Sequence, residues 1–240
     1  MSSCQDSLLQ TNNDDMICCI CLGTLPTNVS DFTRNTCCGN GIHLQCMEDL
    51  RKSNMTAEQK NSCPTCRETY PKTNAGHINN LIKWIAKGKT WAMYIMAQRY
   101  RDGDVGLKKS PEKAVTMFLN IIENSKYSSS NATNATYINS IYDLAVMCKN
   151  GEGIQKSNER ALNLYKEAAK QEHSAAQYNL GLMYILGDGV EQSDEIARKW
   201  WTRSANLGYQ KAIESLVMLV ERAGKTNHLL INNAKVCKGG

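Results

Sequence analysis

The side chains best suited to chemistry in this chain are thiols and one imidazole, set in pairs. Cys18-x2-Cys21, Cys37-Cys38, His43-x2-Cys46 and Cys63-x2-Cys66 supply eight donors in four pairs. Two donors separated by two residues converge on one ion, and eight donors suffice for two tetrahedral zinc ions. Most of the 11 cysteines lie between Cys18 and Cys66. Clustered CxxC pairs without an export signal read as metal ligands rather than a disulfide framework. A stretch this short has little core of its own, so two bound zinc ions are expected to supply most of its folding energy. Cys4, Cys19, Cys148 and Cys237 lack partners at metal spacing and are expected to be structural. His77, His173 and His228 also stand alone.

The elements that must position these donors follow from changes in composition. Residues 1–14 read as a disordered leader, polar and without a signal-peptide core. Residues 15–72 are the zinc-binding module. Residues 73–89 form a linker and connecting helix, with Ile78, Leu81, Ile82 and Ile85 at helical spacing. Residues 90–225 are helical, and residues 226–240 form a tail. No apolar run is long enough to cross a membrane. The net charge of +5 is too small and too evenly spread to indicate nucleic acid. Neither nucleic acid nor membrane is an expected partner, and the expected location is intracellular, cytoplasmic or nuclear. No Gly-rich phosphate loop, serine triad or paired-carboxylate motif occurs.

The helical part repeats itself. Leu180-Gly181, Gly187-Asp188-Gly189, Ala197, Trp201 and Ala205 recur 36 residues earlier as Leu144-Ala145, Gly151-Glu152-Gly153, Ala161, Tyr165 and Ala169. A fainter copy has Met96-Ala97, Gly103, Gly106, Ala114 and Phe118. The extra residues between the first two copies match Lys126–Thr136, KYSSSNATNAT, expected to be a flexible loop. Each unit reads as helix, Gly-rich turn, helix. The glycines supply positive φ where the first helix stops, and small residues let the pair approach closely. One unit cannot bury its apolar face, so neighbours must stack. The expected units are 90–126, 137–173 and 174–210, with a capping half-repeat at 211–225.

These residues resemble the Sel-one-like repeat, a relative of the tetratricopeptide repeat. The third copy, AQYNLGLMYILGDGV followed by ARKWWTRSA, carries the likeness best. The resemblance implies a helical solenoid that binds other proteins.

The ligand order resembles a RING finger. That resemblance implies Cys18, Cys21, His43 and Cys46 on the first zinc, and Cys37, Cys38, Cys63 and Cys66 on the second. The segment CCGNGIHLQC departs from the RING pattern at Asn40, where a ligand His is usual, and at His43, where Cys is usual. Cys37 is the replacement for the lost ligand. The order alone also fits a PHD finger, but Asn61-Ser62 stand where such fingers usually carry Trp. The run CPTCRETYP looks like that of RING ubiquitin ligases. There, the equivalents of Ile20, Leu22, Pro64 and Arg67 contact a ubiquitin-conjugating enzyme, and a helix borders the groove; Cys46–Gln59 is long enough for it. The expected fold is a small zinc-stabilised α+β RING domain followed by an all-α helix-turn-helix repeat solenoid. The expected function is RING-type ubiquitin ligation without a covalent nucleophile. The finger would recruit the ubiquitin-carrying conjugating enzyme, and the repeats a protein substrate. The alternative is a non-catalytic adaptor built from the same two parts.

Overall fold

A computed structural model describes residues 18–21, 32–35, 37–103, 106–125 and 131–221. The chain forms two compact units, residues 1–156 and 157–240.

The first unit opens with an antiparallel hairpin of β1 (Phe32–Arg34) and β2 (Gly41–His43), with Thr33 opposite Ile42. Cys18 joins β2 through a parallel bridge to Gly41, and the Cys19 N–H donates to the Gly41 carbonyl at 3.0 Å. Helix α1 (Leu44–Lys52) leaves β2 directly, and α2 (Ala57–Lys60) follows. The single helix expected over Cys46–Gln59 is therefore two. Ser53 ends the first, its hydroxyl donating to the Leu50 carbonyl. Thr56 starts the second with a reciprocal cap. The Gln59 N–H donates to Thr56 Oγ1 at 3.2 Å, and the Thr56 N–H to Gln59 Oε1 at 2.9 Å. The T-x-x-Q signature for this start was present in the sequence.

Helix α3 (Asn74–Ala86) is capped by Thr73 and packs on α4 (Thr90–Asp102). Ile78 and Leu81 are buried with Trp91, Ala92 and Met96, and Ile85 packs beside them. Ile82, expected on the same face, is instead exposed. The four residues span about two helical turns, and only the stripe facing α4 is covered. Helices α5 (Pro111–Ser125) and α6 (Asn131–Asn150) complete the unit. Asn131–Thr136, expected in the flexible loop, are thus helical. Ala135 and Thr136 are buried, and Asn139 and Ser140 return hydrogen bonds to the carbonyls of Ala135 and Thr136. Tertiary burial overrides the low helix propensity of this polar stretch. Residues 126–130 lie outside the described residues. Between α4 and α6, the Asp143 carboxylate accepts from Tyr94 Oη at 2.8 Å and Arg101 Nη1 at 2.7 Å. Burial pushes the Asp143 carboxyl up, opposed by Arg101 and Tyr94.

The second unit contains α7 (Asn158–Lys170), α8 (Ser174–Leu186), α9 (Asp194–Asn206) and a helical segment over 210–221. Gly181 lies against the Trp201 ring so closely that a Cβ would overlap it. That approach lets Trp201 Nε1 donate to the Tyr178 carbonyl at 3.0 Å. The second glycine of each turn has a matching role in its own unit. A Cβ on Gly153 would overlap the backbone at the start of α5, and one on Gly189 would crowd Asn158 at the start of α7.

His173 caps α8, its Nδ1 accepting from the Ala176 N–H at 3.1 Å. Burial lowers its pKa from the ordinary 6.5 to about 4. The folded state therefore favours the neutral ring, and protonating Nδ1 breaks the cap. The contribution is complete above pH 6.5 and is lost as pH falls from there to about 4. The full loss is on the order of 3 kcal/mol. The expected result is that His173→Asn, which caps without titrating, flattens this dependence. The check is the difference in thermal midpoint between the two chains at pH 7 and pH 5; equal midpoint shifts would exclude His173 as the source.

Candidate metal centre

Four local structures carry the eight donors. The Cys18–Cys21 knuckle is pinned to β2 at Gly41. The turn between the two strands presents Cys37 and Cys38, and the β2–α1 junction presents His43 and Cys46. The Cys63–Cys66 knuckle is closed by the Cys63 N–H donating to the Glu68 carbonyl at 2.8 Å and the Arg67 N–H to the Cys63 carbonyl at 2.9 Å. Arg67 takes φ +60° to complete that turn.

The chain gathers these donors in two groups. The ligand atoms of Cys18, Cys21, His43 and Cys46 lie within 4.8 Å of one another, as do those of Cys37, Cys38, Cys63 and Cys66. The first pair in sequence joins the third, and the second joins the fourth. The hairpin explains the crossing: β2 delivers His43 back toward the first knuckle while the strand connection swings Cys37 and Cys38 to the other side. His43 Nδ1 is 3.3 Å from Cys21 Sγ and 3.9 Å from Cys46 Sγ. Cys38 Sγ is 3.5 Å from Cys63 Sγ. Zinc–sulfur bonds of about 2.3 Å and zinc–nitrogen bonds of about 2.0–2.1 Å give tetrahedral edges of about 3.6–3.8 Å. Both groups therefore fit a metal ion in donor type, number and spacing. Cys37 stands with the second group, and none of the described cysteines forms a disulfide.

Proton affinities point the same way. Burial opposes ionisation of Cys18, but N–H groups of Cys21, His43 and Ile20 outweigh it and hold the thiol at about 6. Burial and the neighbouring thiols of Cys21 and Cys18 push Cys46 up to about 12. In the other group, hydrogen bonds from Cys37 and Cys38 hold the Cys63 thiol far below its ordinary value. Cys38 is pushed up to about 12: hydrogen bonding with Cys37 lowers it, while Cys63 and burial raise it more. A bound cation would favour the ionised form of the thiols around it. Cys19 sits outside both groups against Cys18 and Ile42, and burial pushes its thiol up. Cys148 is buried in α6.

Of the residues expected to meet a conjugating enzyme, Ile20 is 37% exposed and Arg67 is exposed. Pro64 lines a shallow cavity of about 390 Å³ with Ile42, Met47, Leu50, Arg51 and Lys60. Leu22 lies outside the described residues. Spacing singles out neither Asn35 nor Tyr70, yet Tyr70 Oη donates to Asn35 Oδ1 at 2.9 Å and ties the last knuckle to the hairpin. The signal was the Tyr just beyond the final ligand pair.

Comparison with known proteins bears on the helical part. The Sel1 repeat matches residues 92–120, 138–173 and 174–209. No curated protein matches the chain. A solved structure of c5321, a protective antigen of uropathogenic Escherichia coli with an SLR fold, is 20% identical with a TM-score of 0.55. That likeness covers 76% of this chain and 37% of the other, and it shows the fold alone. A Sel1 repeat protein from Oxalobacter formigenes is 25% identical over 58% of this chain and 96% of its own, with a TM-score of 0.46. Cysteine rich protein B of Helicobacter pylori is 17% identical over 60% of this chain and 98% of its own, at 0.44. The matched positions carry the helix-stopping glycines and the Gly181–Trp201 approach already described. Three stretches of the helical part therefore match the Sel1 repeat.

Proposed function

We propose that this chain is a protein-docking adaptor, with a finger built around two zinc ions and an array of Sel1 repeats that holds a protein partner. The observation that carries this reading is the pair of four-donor groups at tetrahedral spacing, joined in one chain to a helical-repeat scaffold. Zinc held by Cys18, Cys21, His43 and Cys46 and by Cys37, Cys38, Cys63 and Cys66 would supply a structural crosslink; it would bring no redox chemistry and would keep its cysteines ionised. Thiolate ligands fit a reducing compartment, and the reading carries an intracellular location, cytoplasm or nucleus, as part of the proposal. The test uses the intact chain as bait for crosslinking and mass spectrometry. Crosslinks from a common partner onto the lysines of residues 90–221 are expected. Partners attached only through the finger, with none on the repeats, would remove the adaptor reading.

A second reading, RING-type ubiquitin ligase, is favoured by one observation: Ile20 and Arg67 are exposed, and Pro64 lines a groove with Leu50. In this reading Ile20, Leu22, Pro64 and Arg67 hold the conjugating enzyme, and Arg67 bridges it to ubiquitin. The finger then contributes positioning rather than a nucleophile. Reconstituted autoubiquitination is expected to fall about tenfold or more in Ile20→Ala and Arg67→Ala, a loss of about 1.4 kcal/mol per tenfold. Silence across a broad panel of conjugating enzymes would leave only the adaptor.

A further inference from the structure

Adjacent cysteines on one ion need an unusual turn, because successive side chains of an extended chain point apart. The turn from Asn35 to Asn40 solves this with backbone bonds. The Gly39 N–H donates to the Asn35 carbonyl at 2.7 Å, and the Asn35 N–H to the Asn40 carbonyl at 3.0 Å. Gly39 sits at φ +79°, open to glycine and costly for other residues. Arg34 Nη1 donates to the Gly39 carbonyl at 3.0 Å.

The outer surface of that turn rests on the helices. A Cβ at Gly39 would lie 3.0 Å from Trp91 and 3.6 Å from Trp84. The Arg34 guanidinium lies 5.6 Å over the Trp91 ring. The two indoles are themselves packed, with centroids 5.8 Å apart. Trp84 belongs to α3 and Trp91 to the first turn of α4, where the helical repeats begin. The donors Cys37 and Cys38 thus sit immediately before a glycine clamped between Arg34 and two tryptophans.

We propose that Trp91 and Trp84 are positioning residues for the second metal group. They hold the Cys37-Cys38-Gly39 turn in the shape that presents both thiols to one ion. Metal at that group and packing of the α3–α4 pair are therefore linked, and linkage is reciprocal. The finger is then set rigidly on the first repeat rather than tethered to it. The inference rests on the two-zinc reading above. It goes further by assigning metal affinity to residues outside every ligand motif.

The test uses the full-length, zinc-loaded chain under chelator competition, read by native mass spectrometry. Wild type is expected to carry two ions. Trp91→Leu is expected to release one of them at a chelator concentration about tenfold lower, as for outer partners of other metal ligands, and to keep the other at wild-type affinity. Tryptophan emission supplies the reverse measurement and does not depend on the Trp91 variant folding. Cys66→Ser, which opens the second group, is expected to red-shift emission, whereas Cys21→Ser, which opens the first, is not. A wild-type chain holding fewer than two ions would defeat the zinc reading itself. Two ions with unchanged chelator sensitivity in Trp91→Leu, or equal emission in Cys66→Ser and wild type, would overturn the linkage alone.

Discussion

A chelator strong enough to take both proposed zinc ions is expected to unfold the finger while residues 157–221 stay helical. The reason is the size of the finger's own core. Among its described apolar residues, Cys18, Ile42 and Cys63 are the fully buried ones, and Met47 packs beside them only in part. Two of those three, Cys18 and Cys63, belong to the four-donor groups, so the centre of the finger is made of the candidate donors themselves. A structural zinc site contributes about 10–16 kcal/mol of apparent binding energy near neutral pH, which is folding energy when the apo form has no fold. Three short apolar contacts cannot replace that. The second unit has its own buried set, including Leu180, Met183 and Trp201. Hydrogen exchange resolved by peptide is the direct measurement. Amides over 41–70 are expected to lose protection on chelation, and those of α8 and α9 to keep it. Cys37→Ser should bind one ion tightly in place of two. A finger that stays protected without metal would refute the account of its stability, and with it the proposed role of zinc.

Gly181→Val is expected to destabilise the second unit by about 3–5 kcal/mol, comparable to losing a large buried side chain. The position has no space for a side chain, since even a Cβ overlaps the Trp201 ring. Trp201 cannot simply turn away. It is buried at 4% exposure, donates to the Tyr178 carbonyl at 3.0 Å, and stacks on the Tyr178 ring with centroids 6.0 Å apart. Displacing it loses the indole hydrogen bond to the Tyr178 carbonyl and opens the Tyr178, Leu182 and Leu216 cluster. Urea unfolding followed at the helical signal checks this. Gly181→Val with Trp201→Leu should recover part of the loss, because the smaller partner makes room. A single substitution that costs less than about 1 kcal/mol would mean that α8 and α9 shift apart freely, contrary to close packing.

The sequence by itself determined the features that repeat or that carry their chemistry locally. The 36-residue recurrence of small residue, glycine turn and aromatic marks the helix pairs, because each pair solves the same packing problem with the same residue types. The CxxC and HxxC spacings mark the donors, because two donors that close together in the chain meet on one ion whatever surrounds them. The capping box at Thr56 is equally local, written in the T-x-x-Q of residues 56–59.

The tertiary structure decided everything that depends on residues distant in the chain. Spacing alone leaves open which pairs share a group, and the crossing comes from the hairpin register that sets Phe32 opposite His43. Helical periodicity put Ile78, Leu81, Ile82 and Ile85 on one face, but only contact with Trp91 and Met96 decided that Ile82 faces solvent. Asn131–Thr136 has the composition of a loop, and burial of Ala135 and Thr136 made it helix. The rest of Gly39 on Trp91 and Trp84 lies in no motif. It joins residues some fifty positions apart, and such contacts follow from how elements pack and not from any pattern along the chain.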